Sequence, residues 1–287
     1  MFDYTQAFSR NIGWVTEQEQ QRLKQCKVAI AGLGGVGGEH LITLARLGVE
    51  NFTIADFDQF DVHNFNRQTG ANMSTLHQNK LDVMANMALE INPDSQIGLF
   101  PEGINEGNID TFLDGVDIYV DSLDFFALDA RKLVFAACTQ KNIPIVTAAP
   151  LGMGCAFLCF MPGKMTYEQY FKFGNLSRVD QLLKFLVGLS PSMLQLPYLV
   201  DKTRVDFIAE KGPSTIMAVR LCAGIAITNT LKILLNRGQV VSAPYGLHFD
   251  AYRNKLKKTW LPFGTNGLLS RIMFMIAKKT VLKNKAH

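Results

Sequence analysis

The stretch KVAIAGLGGVGGEHLITLARLGVENFTIADFD occupies residues 27–58. Residues 27–31 form a short apolar run of β-strand character. Gly32, Gly34 and Gly37 then spell G-x-G-x-x-G, with Gly35 between them, and residues 39–47 continue with helical apolar spacing. Glycines at such a turn permit a tight strand-to-helix reversal and let backbone N–H groups approach a phosphate. The positive end of the following helix favours the same anion. Gly48 breaks the helix, and residues 51–55 read as a second strand that ends in Asp56. A carboxylate at that strand tip is where a ribose hydroxyl is held in dinucleotide folds. A bare packing turn needs only the glycines. Strand, turn, helix, strand and acid in this order argue for a nucleotide, without saying which.

Length and composition limit the remaining choices. The chain has 287 residues, 48% hydrophobic and 19% charged, enough to bury a full core. A formal charge of +4 is too small to argue for a nucleic-acid partner, and none is expected. Five cysteines without short paired spacings suit a reducing cytosol. Residues 1–10 are polar and lack an apolar signal core, so a cytoplasmic location is expected. Residues 216–235 approach membrane-spanning length, but Arg220 and Lys232 interrupt them, which favours a buried helix. Residues 264–287 carry five Lys or Arg and no acid beside Leu268, Leu269, Ile272, Met273, Phe274, Met275 and Ile276. Two readings stand for this tail: a segment lying on an anionic membrane or another acidic surface, or a partly docked helix with a solvated end.

In chain order, Thr16 to Glu19 form a capping box, preceded by a polar arm that contains Arg10. The loop after Asp56 is dense in polar groups. Asn64 and Arg67, three apart, fall on one side of a helical turn, and Lys80 opens the next amphipathic helix. Singly, Arg67 and Lys80 read as surface cations. Together, downstream of a phosphate turn, they are candidate clamps on a triphosphate. The strand over residues 117–121 is followed by Ser122, Leu123 and Asp124, and its tip predicts that Asp121 and Asp124 project into the crevice beside Gly34. A carboxylate beside phosphates usually holds magnesium, whereas Asp124 could equally cap a helix over residues 125–140.

These motifs, together with Ile91-Asn92-Pro93 and the arm Phe8-Ser9-Arg10-Asn11-Ile12, closely resemble the ThiF/MoeB/HesA adenylyltransferases, relatives of ubiquitin-activating enzymes. The resemblance covers roughly residues 8–252. It implies an α/β fold with a Rossmann-like, doubly wound, mostly parallel sheet and an antiparallel C-terminal part. Residues 1–262 then form one adenylation domain, with a nucleotide-binding half (1–150) and a substrate and dimerisation half (151–262), followed by a basic amphipathic tail (263–287). It also implies that Asp56 holds the ribose of ATP, while Gly32, Gly34, Gly35, Gly37, Asp58 and the Asp121-Ser122-Leu123 strand end surround the nucleotide. Asn64, Arg67 and Lys80 would contact the phosphates, Asp124 would coordinate magnesium, and Arg10 would reach across from the partner subunit of a homodimer. The expected reaction activates a carboxylate, on a small substrate or on the C-terminus of a ubiquitin-like or sulfur-carrier protein, as an acyl-adenylate with release of pyrophosphate. The catalytic group is then Arg10, Arg67, Lys80 and Asp124.

The chain departs from the family pattern in places. Cys-x-x-Cys pairs are absent, so no zinc is expected. Phe125 stands where Asn often follows the magnesium aspartate, and Arg131 lies two positions beyond the usual arginine. No cysteine occurs within residues 160–221, which favours transfer to an external nucleophile. His63 and His77 read as loop and capping residues. Residues 161–212, rich in aromatics such as Tyr167, Tyr170, Phe171 and Phe173, are the expected seat of substrate choice, their rings lining a groove or simply packing. Two other classes remain: an NAD-dependent oxidoreductase, and a non-catalytic nucleotide-binding homodimeric scaffold.

Overall fold

A computed structural model describes residues 1–207 and 209–283. In chain order the elements are α1 (Tyr4–Ala7), α2 (Glu17–Gln25), β1 (Lys27–Ala31), α3 (Gly35–Arg46), β2 (Asn51–Ala55), α4 (Lys80–Ile91), β3 (Gln96–Phe100), α5 (Ile109–Phe112), β4 (Ile118–Asp121), α6 (Leu128–Gln140), β5 (Ile145–Leu151) and β6 (Gly154–Phe160). Then follow α7 (Tyr167–Phe171), α8 (Arg178–Leu189), α9 (Ile216–Leu234), β7 (Tyr245–Asp250), β8 (Lys255–Trp260) and α10 (Leu268–Lys283). The strands make one eight-stranded sheet in the order β3-β2-β1-β4-β5-β6-β7-β8. Pairing is parallel from β3 to β5 and antiparallel from β5 to β8. The expected doubly wound sheet with an antiparallel C-terminal part is therefore present.

Both faces of the sheet are covered, which explains why its central strands are apolar at consecutive positions rather than at alternate ones. Val28 and Ile30 of β1, with Ile118 and Val120 of β4, pack towards residues of α2, α3, α4 and α9. Ala29, Ala31, Tyr119 and Ile145 face the other way, towards α5, α6, α7 and α8. The strand order reverses between β1 and β4, which run parallel, so the carboxyl ends of these two strands open a crevice at the switch point.

Helix α9 is long and apolar enough to cross a membrane, yet Ala218, Cys222, Ala226 and Ile227 are buried against α3, β5 and β6. Its small residues permit the close approach to α3. The helix foreseen over residues 125–140 starts later, at Leu128, because Asp124 and Ala127 close a turn first. Helix α10 is docked through its inward face on α8, where Lys278 Nζ lies 2.7 Å from Asp180 Oδ2 and Ser270 is buried. Residues 284–287 of the basic tail, including Lys285, lie outside the described residues.

Candidate active site

Three strand ends build the site. At β1, Gly32 takes φ +86°, and a Cβ there would sit 2.4 Å from the Ser122 carbonyl oxygen. At Gly37 an added Cβ would lie 1.7 Å from the Gly32 carbonyl oxygen, so the turn tolerates no side chain at that position. Helix α3 starts at Gly35 with Gly34 as its N-cap and no side-chain cap, leaving its first N–H groups for an anion. Ser122, beyond β4, buttresses the turn from below: its Oγ is 2.9 Å from His40 Nδ1 in the interior. Burial lowers the His40 pKa to about 4, against the Cys222 carbonyl, so the imidazole is neutral there and acts as a strut.

At the β2 tip, Asp56 accepts hydrogen bonds from the N–H groups of Leu33 (2.6 Å) and Asp58 (2.8 Å). Its carboxylate is thereby pinned to the glycine turn. Burial raises its pKa above the ordinary 3.8, while the two amides and the Lys80 ammonium pull the other way. Lys80 opens α4 with its stem buried, and its Nζ lies 2.9 Å from Asp58 Oδ2. Asp58 is itself 55% exposed at the side chain, so this ammonium sits at the edge of solvent. Asp56, Asp58 and Lys80 are thus one cluster.

The polar loop supplies a second cluster on the other side of the turn. Arg67 Cγ comes 3.8 Å from a Cβ built on Gly35. Its guanidinium donates only to neutral oxygens, the His63 carbonyl and Asn66 Oδ1, both at 2.9 Å. No carboxylate among the described residues pairs with it. Asn64 is buried, and its Oδ1 accepts from Asp61 N at 2.9 Å, which fixes the turn that carries Arg67. Gln68 was not singled out from the sequence. It is 7% exposed, approaches Gly34, and its Oε1 has no partner among the described residues. It ends the Asn64-x-x-Arg67-Gln68 run that carries the resemblance, and that motif attaches no role to it.

At the β4 tip the two aspartates diverge, which corrects the expectation that both enter the crevice. Asp121 is 2% exposed and held by Arg131 Nε (2.9 Å), Thr147 Oγ1 (2.8 Å) and Tyr119 Oη (3.3 Å). It lies on the Tyr119 side of the sheet, opposite α3, because alternate strand residues face opposite ways. It anchors the strand end to α6 and β5. Through Nη2 the same arginine grips the carbonyls of Leu123 (2.6 Å) and Asp124 (3.1 Å) and so shapes the strand end. Asp124 is exposed, with Oδ1 accepting from Phe126 N at 2.9 Å and Oδ2 left over. No group of three or more His, Cys, Asp or Glu among the described residues could hold a metal. The carboxylate oxygen of Asp124 left free among the described residues nonetheless suits magnesium, which commonly takes one or two protein carboxylates and completes its shell with water and phosphate.

Arg10 is exposed in the turn at Ser9–Asn11, and its neighbour Asn11 bonds to the Leu47 carbonyl at the far end of α3. A 12-residue helix is about 18 Å long, so within one chain Arg10 is at the wrong end for the phosphate turn.

The second half of the chain frames the crevice. Asn66 Nδ2 donates to the Ser214 carbonyl (3.0 Å), and Thr215 Oγ1 donates to the Gly152 carbonyl (2.8 Å), linking the phosphate loop, the start of α9 and the β5–β6 turn. Tyr198 Oη donates to buried Asp250 (2.6 Å) and accepts from Met153 N (2.8 Å). Tyr167, Tyr170, Phe171 and Phe173 pack on one another in the core and line no groove. All five cysteines are free and buried. Burial lifts Cys26 to about 11 and Cys159 to about 12, so neither is a ready nucleophile. His63 is exposed in a single 3-10 turn (Val62–Asn64), 3.3 Å from Asp61 Oδ2, and His77 is an exposed turn residue.

Residues 8–263 match the ThiF family. A tRNA threonylcarbamoyladenosine dehydratase of Bacillus subtilis is 32% identical over 142 residues, 49% of this chain and 55% of its own length. The sulfur carrier protein ThiS adenylyltransferase of Escherichia coli is 29% identical over 143 residues, 50% of this chain and 56% of its own. This chain therefore spans little more than half the length of these relatives. The structure of E. coli MccB with ATP has the same fold, with a TM-score of 0.66 at 20% identity over 92% of this chain and 73% of MccB.

Proposed function

The chain belongs to the ThiF family, and from that premise we infer that it is an ATP-dependent adenylyltransferase that converts a substrate carboxylate into an acyl-adenylate. The observation that carries this reading is the pair of clusters flanking one glycine turn: Asp56, Asp58 and Lys80 on one side, Arg67 and Gln68 on the other. An oxidoreductase needs the turn and Asp56 but has no task for Arg67, Lys80 and Asp124 together.

The triphosphate lies over the N-terminus of α3, and Asp56 accepts hydrogen bonds from the ribose hydroxyls. A carboxylate oxygen of the substrate attacks the α-phosphorus, the bond to the bridging oxygen breaks, and pyrophosphate departs. Negative charge grows on the leaving oxygens, where the Arg67 guanidinium, unneutralised by any described carboxylate, and the Lys80 ammonium offset it. Lys80 exchanges its partner Asp58 for phosphate as the nucleotide arrives. Magnesium on the outer oxygen of Asp124 would add further charge neutralisation when bound. No protein nucleophile takes part, which agrees with the buried cysteines, and the acyl group passes to an external nucleophile. Arg10 completes the site from a second copy in a homodimer, and the protein works in a reducing, cytoplasmic setting.

The relatives offer two substrate classes, a protein C-terminus as in ThiS and the carboxylate of a threonylcarbamoyl nucleoside in tRNA. ATP–pyrophosphate exchange on the purified protein, run with a Gly-Gly-ended carrier protein, a short peptide and a threonylcarbamoyladenosine-bearing tRNA, tests the reading. Exchange with any one supports it. ATP binding without exchange supports a scaffold, and NADH binding in place of ATP supports the oxidoreductase.

A further inference from the structure

The last acidic residue of the chain is Asp250. Residues 251–287 contain nine of the 29 Lys and Arg and none of the 25 Asp and Glu, so the other 250 residues carry 20 cations against 25 acids. This segregated charge coincides with an exposed apolar surface. Helix α10 buries Ser270 and packs Phe274 and Ala277 against the core, while its outward face presents Leu268 (76% exposed), Leu269 (74%) and Met275 (60%). Arg271 and Lys279 flank that face, both exposed. Trp260 and Phe263, 60% and 70% exposed, lead into the helix from β8, an edge strand whose Lys255, Lys257 and Lys258 also face solvent.

We propose that the outward face of α10, with Trp260, Phe263 and the lysines of β8, docks on the surface of an anionic lipid bilayer. Three observations select this occupant. At 16 residues α10 is about 24 Å long and carries Arg271, Lys278 and Lys279, so it is too short and too charged to span a core of about 30 Å and suits the plane of the interface. Aliphatic side chains at the centre with cations at the rim match a surface that is apolar below and negative above, whereas an RNA backbone offers nothing to Leu268, Leu269 and Met275. A second copy docked here would set Arg271, Lys279 and the lysines of β8 against like charges. Trp and Phe beside the helix are the residue types that settle at headgroup depth.

The test uses the full chain, co-sedimented with vesicles of phosphatidylcholine alone and of phosphatidylcholine containing roughly one third phosphatidylserine. Partition onto the anionic vesicles only, weakening as salt is raised, is expected, with a blue shift of Trp260 fluorescence in a Trp14→Phe background. Leu269→Asp with Met275→Asp removes binding without lowering the melting temperature. Arg271→Ser with Lys279→Ser weakens it about 25-fold, at about fivefold per cation. Equal binding to neutral vesicles, no binding to anionic ones, or binding that survives the two aspartates overturns the proposal. So does tighter binding of single-stranded RNA or polyglutamate that ignores the aspartates, which would assign the face to a soluble polyanion. None of these outcomes depends on adenylation.

Discussion

Lys80 and Asp58 are paired at 2.9 Å, which fixes the ammonium beside the Asp56 strand tip. Lys80→Met keeps the buried stem and removes only the charge, leaving Asp58 half in water at little cost to folding. Pyrophosphate exchange is expected to fall by about 10²–10³ with the melting temperature nearly unchanged. Exchange within a fewfold of wild type would remove Lys80 from the reaction. Asp56 gives a pH test. Its pKa is raised, so ionisation is disfavoured by the fold: its contribution to stability is greatest below the unfolded value and declines as pH rises through the folded one. For ribose the ionised form is the better acceptor, and ATP affinity should therefore begin to fall with acid at a pH above 3.8. Titration calorimetry across the acid range should show this limb in wild type and not in Asp56→Asn; the same limb in both would assign it elsewhere. The carboxylate at a strand tip was legible because its place follows from the β-α-β order. The buried roles of Asp121, His40 and Gln68 were not, because each depends on a partner far off in sequence or on a fit that only packing defines: Ser122 lies 82 positions from His40.

Elements that carry their own punctuation were equally plain. The turn from β1 into α3 and the capping box of α2 are written in neighbouring residues, and both form where they were expected. Strand β8 has no signal of its own in the sequence, since half of KLKKTW is lysine. Only pairing with β7 makes it a strand. The tip of β4 shows the same limit, since its shape rests on the ion pair of Arg131 on α6 with Asp121. Both partners are buried, so removing one strands the other charge. Arg131→Met should cost about 3–5 kcal/mol, read as a fall in melting temperature, because Asp121 would be left uncompensated. Adding Asp121→Leu should recover much of that loss. A double variant no better than the single would show that the guanidinium matters mainly through the carbonyls of Leu123 and Asp124.

For the whole molecule, a second copy is required by the role proposed for Arg10. Asn11, its neighbour, is tied to the Leu47 end of α3 by hydrogen bonds to Gln20 Oε1 (3.1 Å) and to the Leu47 carbonyl (3.3 Å), so the arm cannot swing across its own helix without breaking them. A second copy related by a two-fold axis can deliver both arms at once, since each surface then meets the other by the same contact. Helix α9 offers a place for it: Met217 is 47% exposed, and a Cβ added at Gly224 meets nothing within 4 Å. Complementation follows from the geometry. Arg10→Ala and Lys80→Met are each expected to be inactive as homodimers. In a mixed dimer the Arg10→Ala chain keeps its own Lys80 and receives Arg10 from its partner, so one site of two is whole. Free exchange of equal amounts gives mixed dimers for half of the population, and pyrophosphate exchange should return to about a quarter of the wild-type value. Mixtures that stay inactive after co-refolding, with mixed dimers verified by mass, would place Arg10 outside the site.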